Sequence, residues 1–259
     1  MMSLLSKVLK IAVPIPKILH GDSFLFIGPH PDDIEIGAGA TVYRLTSMGK
    51  KVKFLICTDG RYGTLDADMD DETLIKIRQA EAKKSAAHLG VDDVEFLPYP
   101  DGGDYNEYDL TKSIAKVICT FRPNFIFAPD PKLLTELHID HIKVGQAASH
   151  AFIMSGTPKM AKNLGVESIS LKGIAYYYTN RPNQYIKTSN LINKQIEAIK
   201  LFESQFPNTE EWQQNFKGLT LYIKLRATRF GLKRFWKSAD GFCVLGPLHT
   251  HCAPESEDF

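Results

Sequence analysis

The 259-residue chain lacks any apolar run long enough to span a bilayer, and its four cysteines include no CxxC pair. It also has almost no net charge, since the formal value is +1. That balance gives no electrostatic reason to expect nucleic acid or an anionic membrane as a partner. We therefore expect no nucleic-acid binding and no stable membrane insertion.

The cysteines lie far apart in the chain, at Cys57, Cys119, Cys243 and Cys252. Cys57 and Cys119 fall in apolar runs, which is typical of buried free thiols. Without a pairing framework, a reducing, cytoplasmic location is expected. Residues 3–17 are apolar but interrupted by lysines and prolines, and no cleavage site of small residues follows, so a signal peptide is not expected. Residues 4, 5, 8, 9 and 12 instead share a face at helical spacing, which predicts a short helix docked on the domain or on a neighbouring subunit.

Continuous apolar runs alternate with amphipathic helical patterns through the first part of the chain. The runs predict strands at 24–28, 52–57, 94–97 and 124–128, and the patterns predict helices at about 36–48, 71–89, 110–121 and 138–154. Such alternation with short links is typical of a parallel sheet covered on both faces by helices. We predict an α/β fold with a Rossmann-like, doubly wound, mostly parallel sheet.

The later third reads differently, with strands predicted at 173–179, 185–187 and 241–245 and helices at about 191–206 and 212–230. Residues 156–173 are predicted to be a loop. We interpret residues 1–259 as a single domain, with a core at about 20–155 and an α+β extension at about 156–259.

Unusual polar residues follow each of the first four predicted strands. His30-Pro31-Asp32-Asp33 follows the first strand, Asp59 the second, Asp101 the third, and the segment from Asp130 to His141 the fourth. In an open parallel sheet, ligands bind beyond the carboxyl ends of the strands. These side chains are therefore expected to meet at one edge of the sheet.

The residue types at that edge suit a catalytic metal. Such a site takes three N, O or S ligands and leaves a position open for water. His30 and Asp33 come from one loop, and either His138 or His141, which share a helix face, would complete a set that could hold zinc or iron. Asp32 would stay free to accept a proton.

Each motif taken alone has an ordinary explanation. Asp32 could cap the following helix, and a single histidine at 138 or 141 could be a surface residue. The combination at the ends of several strands is more specific than either motif.

The two motifs, His30-Pro31-Asp32-Asp33 and His138-Ile139-Asp140-His141, resemble those of the LmbE/PIG-L family of zinc-dependent N-acetylglucosamine deacetylases. Thr58-Asp59-Gly60 and Ile77-Arg78-Gln79-Ala80-Glu81 also match, as do later segments around 177–183 and 204–207 that resemble the diacetylchitobiose deacetylase branch. The resemblance implies an enzyme that removes an N-acetyl group and releases acetate.

The resemblance also implies roles for individual residues. Zinc would be held by His30, Asp33 and His141, with Asp32 as general base. His138 would donate a proton or stabilise the oxyanion, and Asp140 would orient a neighbouring histidine. The residues implied to contact substrate are Arg78, Asp101 and His251. Ile34 and Ile139 depart from the family pattern, where Glu and Pro are frequent, and this bears on the branch more than on the chemistry.

The sequence leaves three alternative functions to consider. A nucleotide-binding Rossmann-like protein is disfavoured, because the glycine spacing is not GxGxxG and two aspartates would face the phosphate. A non-catalytic metal protein would need neither Asp32 nor His138. A zinc amidohydrolase acting on a non-sugar amide has the same chemistry and differs only in its pocket. A homo-oligomer is also compatible with the apolar N-terminal segment.

Overall fold

One continuous sheet of seven strands organises the computed structural model, which describes residues 4–207, 209–251 and 255–256. In chain order the strands are β1 (Ser23–Gly28), β2 (Lys51–Thr58), β3 (Asp93–Tyr99), β4 (Phe125–Pro129), β5 (Gly173–Tyr177), β6 (Gln184–Lys187) and β7 (Ala239–Leu245). The helices are α1 (Leu4–Ala12), α2 (Asp33–Ser47), α3 (Asp71–His88), α4 (Glu107–Phe121), α5 (Ile139–Gly156), α6 (Pro158–Asn163), α7 (Ile192–Ile199) and α8 (Glu210–Leu232).

The spatial order of the strands is β3-β2-β1-β4-β5-β7-β6. The first five pair in parallel, and β7 runs antiparallel to both β5 and β6. The predicted α/β fold with a mostly parallel sheet is thus confirmed. Because strands from the later third extend the same sheet, the continuity supports the proposal of a single domain.

The strands are continuously apolar because both faces of the sheet are covered. In β1, Leu25 and Ile27 belong to a core shared with α4 and α5, whereas Phe24 and Phe26 belong to a core shared with α2. All four side chains are fully buried. A strand buried on both faces loses the alternation of apolar and polar residues, which is the pattern seen in the sequence.

Two later predictions were wrong in part. Residues 156–173 were expected to be a loop, but they contain α6, which Pro158 at its first turn preorganises. The helix predicted for 191–206 ends at Ile199. The backbone N–H and hydroxyl of Ser204 donate hydrogen bonds to Glu81, which keeps the segment around Ser204 outside the helix.

The predicted strand at 173–179 stops at Tyr177, because Tyr178 adopts a left-handed backbone conformation with φ of 53°. The amphipathic N-terminal segment forms α1, although the side chains of Leu4 and Leu5 lie outside the described residues. Within the described ranges, we find no helix that is both long and apolar enough to cross a membrane.

Candidate metal centre and active site

Most of the polar residues predicted to meet at the sheet edge line one cleft beyond the ends of the strands, although Asp59 and Asp130 are not in its lining. Its lining includes His30, Asp32, Asp33, Arg78, Asp101, His138 and His141. Each comes from a loop or helix start that follows a strand, except Arg78, which lies in the middle of α3. Of the nine site residues expected from the sequence, only Asp140 and His251 are absent from this lining.

Asp33 lies between two imidazoles. Its Oδ2 is 3.0 Å from His30 Nδ1 and its Oδ1 is 3.2 Å from His141 Nε2. Burial alone would raise the pKa of Asp33, but the charge and hydrogen bond of His141, together with those of His30, hold it well below its ordinary value. Asp33 is therefore ionised, with two nitrogen donors beside its oxygens.

The other ring nitrogen of each histidine faces a carboxylate. His30 Nε2 lies 3.1 Å from Asp101 Oδ1 and 3.3 Å from Asp140 Oδ2, and His141 Nδ1 lies 3.0 Å from Glu136 Oε2. Burial disfavours the charged form of His30, yet its hydrogen bonds with Asp101, Asp140 and Asp33 raise its pKa well above the usual value. A metal-ligating histidine commonly donates its outer N–H to such an acceptor, which fixes the ring orientation and tautomer.

Asp32 has no capping role, although it occupies the N-cap position of α2. Its side chain makes no hydrogen bond to the helix, and its backbone is left-handed with φ of 114°. The carboxylate is 13% exposed and lies 3.5 Å from Arg78 Nη2. Burial raises its pKa to about 7, and the Arg78 charge moderates that rise. The strained backbone thus presents a carboxylate that gains and loses a proton near neutral pH.

His138 caps α5 with a ring nitrogen. Its Nδ1 accepts a hydrogen bond from the Asp140 backbone N–H at 3.3 Å, so the proton of the neutral ring resides on Nε2. Burial and the nearby His30 and His141 lower the pKa of His138. The ring is half exposed and lies 4.6 Å from the His30 ring, centroid to centroid. It therefore offers an N–H donor at the mouth of the cleft.

Arg78, expected to contact substrate, is buried and makes its hydrogen bonds within the protein. Its Nη1 donates to the Gly60 carbonyl at 2.9 Å, and its Nη2 donates to the Pro31 carbonyl at 2.8 Å. The guanidinium thereby ties the loop after β2 to the loop that carries Asp32.

His251, also expected to contact substrate, does not lie in this cleft. It lines a separate cavity with Asp130, Tyr176, Arg181 and Cys243. The expectation is therefore not met within one chain, because the 3₁₀ turn Pro247–His249 after β7 leads the chain to that other cavity.

The geometry can be set beside known proteins. A family model described as GlcNAc-PI de-N-acetylase, PIG-L, matches residues 25–152. The diacetylchitobiose deacetylase of Thermococcus kodakarensis is 32% identical over 235 residues, covering 89% of this chain and 85% of that protein. The chain belongs to the PIG-L family. The family model and the relative named above are both deacetylases, which are hydrolases that cleave an amide bond. The prediction of such a hydrolase is therefore confirmed at the level of the family.

Solved structures extend the PIG-L likeness over the whole chain. The N,N'-diacetylchitobiose deacetylase from Pyrococcus horikoshii, complexed with an inhibitor, superposes with a TM-score of 0.87 and 30% identity, covering 99% of this chain and 95% of that one. A 4-carboxy-2-hydroxymuconate hydratase from Pseudomonas putida shares only the fold, with a TM-score of 0.71 and 19% identity over 87% of this chain and 97% of that one.

The donor set of this PIG-L site fits a metal ion. Among the described residues, two groups of side chains have donor atoms close enough together to bind one metal ion. The first is formed by the ring nitrogens of His30, His138 and His141, and the second by donor atoms of His30, Asp101, His138 and Asp140. Asp33 touches both His30 and His141 and adds an anionic oxygen donor. Asp140 Oδ1 is buried without a hydrogen-bond partner, which leaves an unused acceptor oxygen beside these nitrogens.

Two residues of the site had no role assigned from the sequence. Glu136 is contributed by the loop after β4 and contacts His141. Tyr178 donates its hydroxyl to the Asp33 carbonyl at 3.1 Å and stacks parallel to the His141 ring at 5.8 Å. Glu136 stands beside the His138 to His141 motif, so its position was a usable signal. Tyr178 lies in the segment 177–183 that carries the family resemblance, but strand periodicity does not place it in the site, since its position depends on where β5 ends.

Proposed function

We propose that this protein is a zinc-dependent deacetylase that removes the N-acetyl group from an N-acetylglucosamine-containing sugar or conjugate and releases acetate. The observation that carries the proposal is that two adjacent aspartates have different surroundings. Asp33 faces two imidazoles, whereas Asp32 stands apart with a pKa of about 7. A binding site alone would not need the second carboxylate.

His30, Asp33 and His141 would hold the zinc ion, because two imidazoles and one carboxylate are a ligand set that catalytic zinc uses. When bound, the ion would polarise the amide carbonyl and lower the pKa of a water molecule. Asp101 and Asp140 orient His30, and Glu136 orients His141. The ring orientations are thus fixed from outside the ligand set.

Asp32 acts as general base. It takes one proton from the attacking water as the oxygen bonds to the carbonyl carbon of the acetamide. The C–N bond then breaks, and the sugar amine leaves with a proton. The products are acetate and the free amino sugar, and a pKa near neutrality suits Asp32 to accept the water proton.

His138 acts as a donor, whereas Asp32 accepts a proton. Its Nε2–H is free to point into the cleft because Nδ1 is engaged with the α5 backbone. It stabilises the negative charge that develops on the carbonyl oxygen, or protonates the departing nitrogen. Asp101 lines the wall of the cleft and stays a candidate for contact with sugar hydroxyls. Substituting Asp101, Arg78 or His251 and measuring KM would test whether each contacts the substrate.

The relatives support the sugar substrate. The relatives described above are named for activities on diacetylchitobiose and GlcNAc-PI, and another relative, from Kineococcus radiotolerans, is named for an inositol-linked 2-acetamido-2-deoxy-glucopyranoside. Incubating zinc-loaded protein with N-acetylated monosaccharides, chitobiose and inositol conjugates, and measuring acetate, tests the proposal. No acetate from any of them, despite bound zinc, would reject the sugar substrate. Release of acetate from non-sugar acetamides alone would favour the other amidohydrolase.

We also propose a cytoplasmic location, because Cys57, Cys119 and Cys243 are buried free thiols, whereas Cys252 lies outside the described residues. Trapping of accessible thiols after isolation under non-reducing conditions would test this.

A further inference from the structure

The later part of α8 and the turn after it are strongly basic, unlike the chain as a whole. Residues 212–239 contain seven Lys and Arg and no Asp or Glu, although the formal net charge of the whole protein is only +1. Overall charge balance therefore conceals a local positive surface. The proposed deacetylase chemistry does not account for it.

An exposed apolar stripe runs along the same helix. Leu221, Leu225 and Leu232 are 58%, 61% and 69% exposed. Their spacing of four and seven residues places them on one face. The opposite face, with Ile223, is buried in the protein. Thus α8 is apolar on two sides, and only one of them packs against the described residues.

The turn that ends α8 carries a fully exposed aromatic residue. Phe235 is 100% exposed and has φ of 56°, a left-handed conformation that favours glycine or asparagine. The turn is closed by a hydrogen bond from the Trp236 N–H to the Gly231 carbonyl at 3.0 Å. Because the side chain is fully exposed, packing against the described residues does not offset this strain. The side chain suits contact with something outside the chain.

We propose that Leu221, Leu225, Leu232 and Phe235, which we call the α8 docking face, bind the surface of an anionic lipid bilayer. An amphipathic helix with aliphatic and aromatic side chains on one side and basic residues beside them is the arrangement that lies in the headgroup region. The helix rests on the surface and does not span it.

Charge and chemistry favour this occupant over two others. A symmetric pairing of α8 with a second copy would place the seven Lys and Arg of residues 212–239 opposite each other, since the acids of α8 are confined to Glu210 and Glu211 at its first turn. Nucleic acid would match the charge but would leave the leucines and Phe235 in water. A bilayer surface satisfies both features.

Docking through this face would orient the active-site cleft. Tyr222, Arg226 and Arg229 of α8 border a groove that also includes His141 and Tyr178. Docking would then bring this groove, which reaches His141, near the headgroups. The inference concerns binding alone, so its test does not depend on the proposed deacetylation.

The electrostatic part is tested with charge-matched variants of the full chain. One replaces Lys217, Lys224 and Lys237 by Gln. Its control replaces the exposed Lys84, Lys116 and Lys162, which lie on α3, α4 and α6. Binding is measured by co-sedimentation with vesicles of equal parts phosphatidylcholine and phosphatidylglycerol. We expect the α8 variant to lose about a hundredfold in partition coefficient and the control to bind like the native protein. Equal loss in both would overturn the proposal.

The apolar part is tested with Phe235→Gly, which relieves the left-handed strain and so keeps the fold, as thermal unfolding would verify. A control, Tyr108→Ser, removes an exposed aromatic from α4. We expect weaker vesicle binding only for Phe235→Gly. Unchanged binding, no native binding to anionic vesicles, or tighter binding to duplex DNA than to vesicles would contradict the proposal. So would light scattering that shows a self-association abolished by Leu221→Gln with Leu232→Gln.

Discussion

Replacing Arg78 by Met tests whether this residue holds the active-site loops or contacts substrate. Arg78 is 3% exposed and donates to two backbone carbonyls, those of Gly60 and Pro31. Methionine fills similar space but cannot donate. Two buried carbonyls would lose a charged donor, and the loop carrying Asp32 would lose its tie to the loop after β2.

The expected loss of stability follows from those two bonds. A hydrogen bond that involves a charged group contributes about 1.5–3 kcal/mol, so removing two should cost roughly 3–6 kcal/mol in the free energy of unfolding. For a chain of this size, that corresponds to a fall in Tm on the order of 10 °C. Lys76→Met, on the exposed side of the same helix, is the control and should change stability by less than about 0.5 kcal/mol.

The assay combines urea or thermal unfolding with steady-state kinetics. Arg78→Lys keeps the charge but cannot span both carbonyls, so it should recover only part of the stability. If Arg78→Met unfolds like the native protein and only raises KM, then Arg78 is a substrate contact and the structural interpretation is refuted.

Three further substitutions test the surroundings of the site. Glu136→Gln weakens the acceptor on His141, so zinc affinity, measured by competition with a chelator, should fall by about ten- to a hundredfold; an unchanged affinity would exclude Glu136 from the site. Tyr178→Phe removes the hydroxyl donor to Asp33 and keeps the ring stacked on His141, so zinc affinity should fall less than for Glu136→Gln, and a larger fall would contradict that ranking. The side-chain oxygens of Glu35 are buried without a hydrogen-bond partner, and burial raises the pKa of this carboxyl from 4.5 to about 8. Its contribution to stability is therefore fully present below pH 4.5 and is lost as pH rises through about 8, so Glu35→Gln should gain stability relative to the native protein across that interval, and parallel pH profiles of unfolding would contradict this.

The sheet and the cleft could be predicted because parallel strands buried on both faces leave a simple pattern. Apolar runs such as 24–28 mark the strands, and loops after parallel strands must meet at one edge. That reasoning brought His30 and Asp33 together with His138 and His141 from segments more than a hundred residues apart, and the choice of His141 as the ligand came from the family resemblance.

What could not be predicted depends on side-chain direction and on where elements stop. Asp101 lines the cleft and stays a candidate for contact with the sugar, but the sequence did not indicate that its carboxylate also reaches His30. Arg78 lies at the cleft, yet its donors are used by backbone carbonyls. Tyr178 enters the site because a left-handed residue ends β5, and no periodicity signals that.

The most direct measurement compares Asp32→Asn with Asp33→Asn, neighbouring residues with the same chemical change. Bound zinc per chain and acetate release are measured on the same samples. We predict that Asp32→Asn keeps its zinc and loses about a hundredfold or more in turnover, whereas Asp33→Asn loses zinc itself. Turnover by Asp32→Asn within about tenfold of the native protein, or full zinc occupancy in Asp33→Asn, would contradict the assignment of base and ligand.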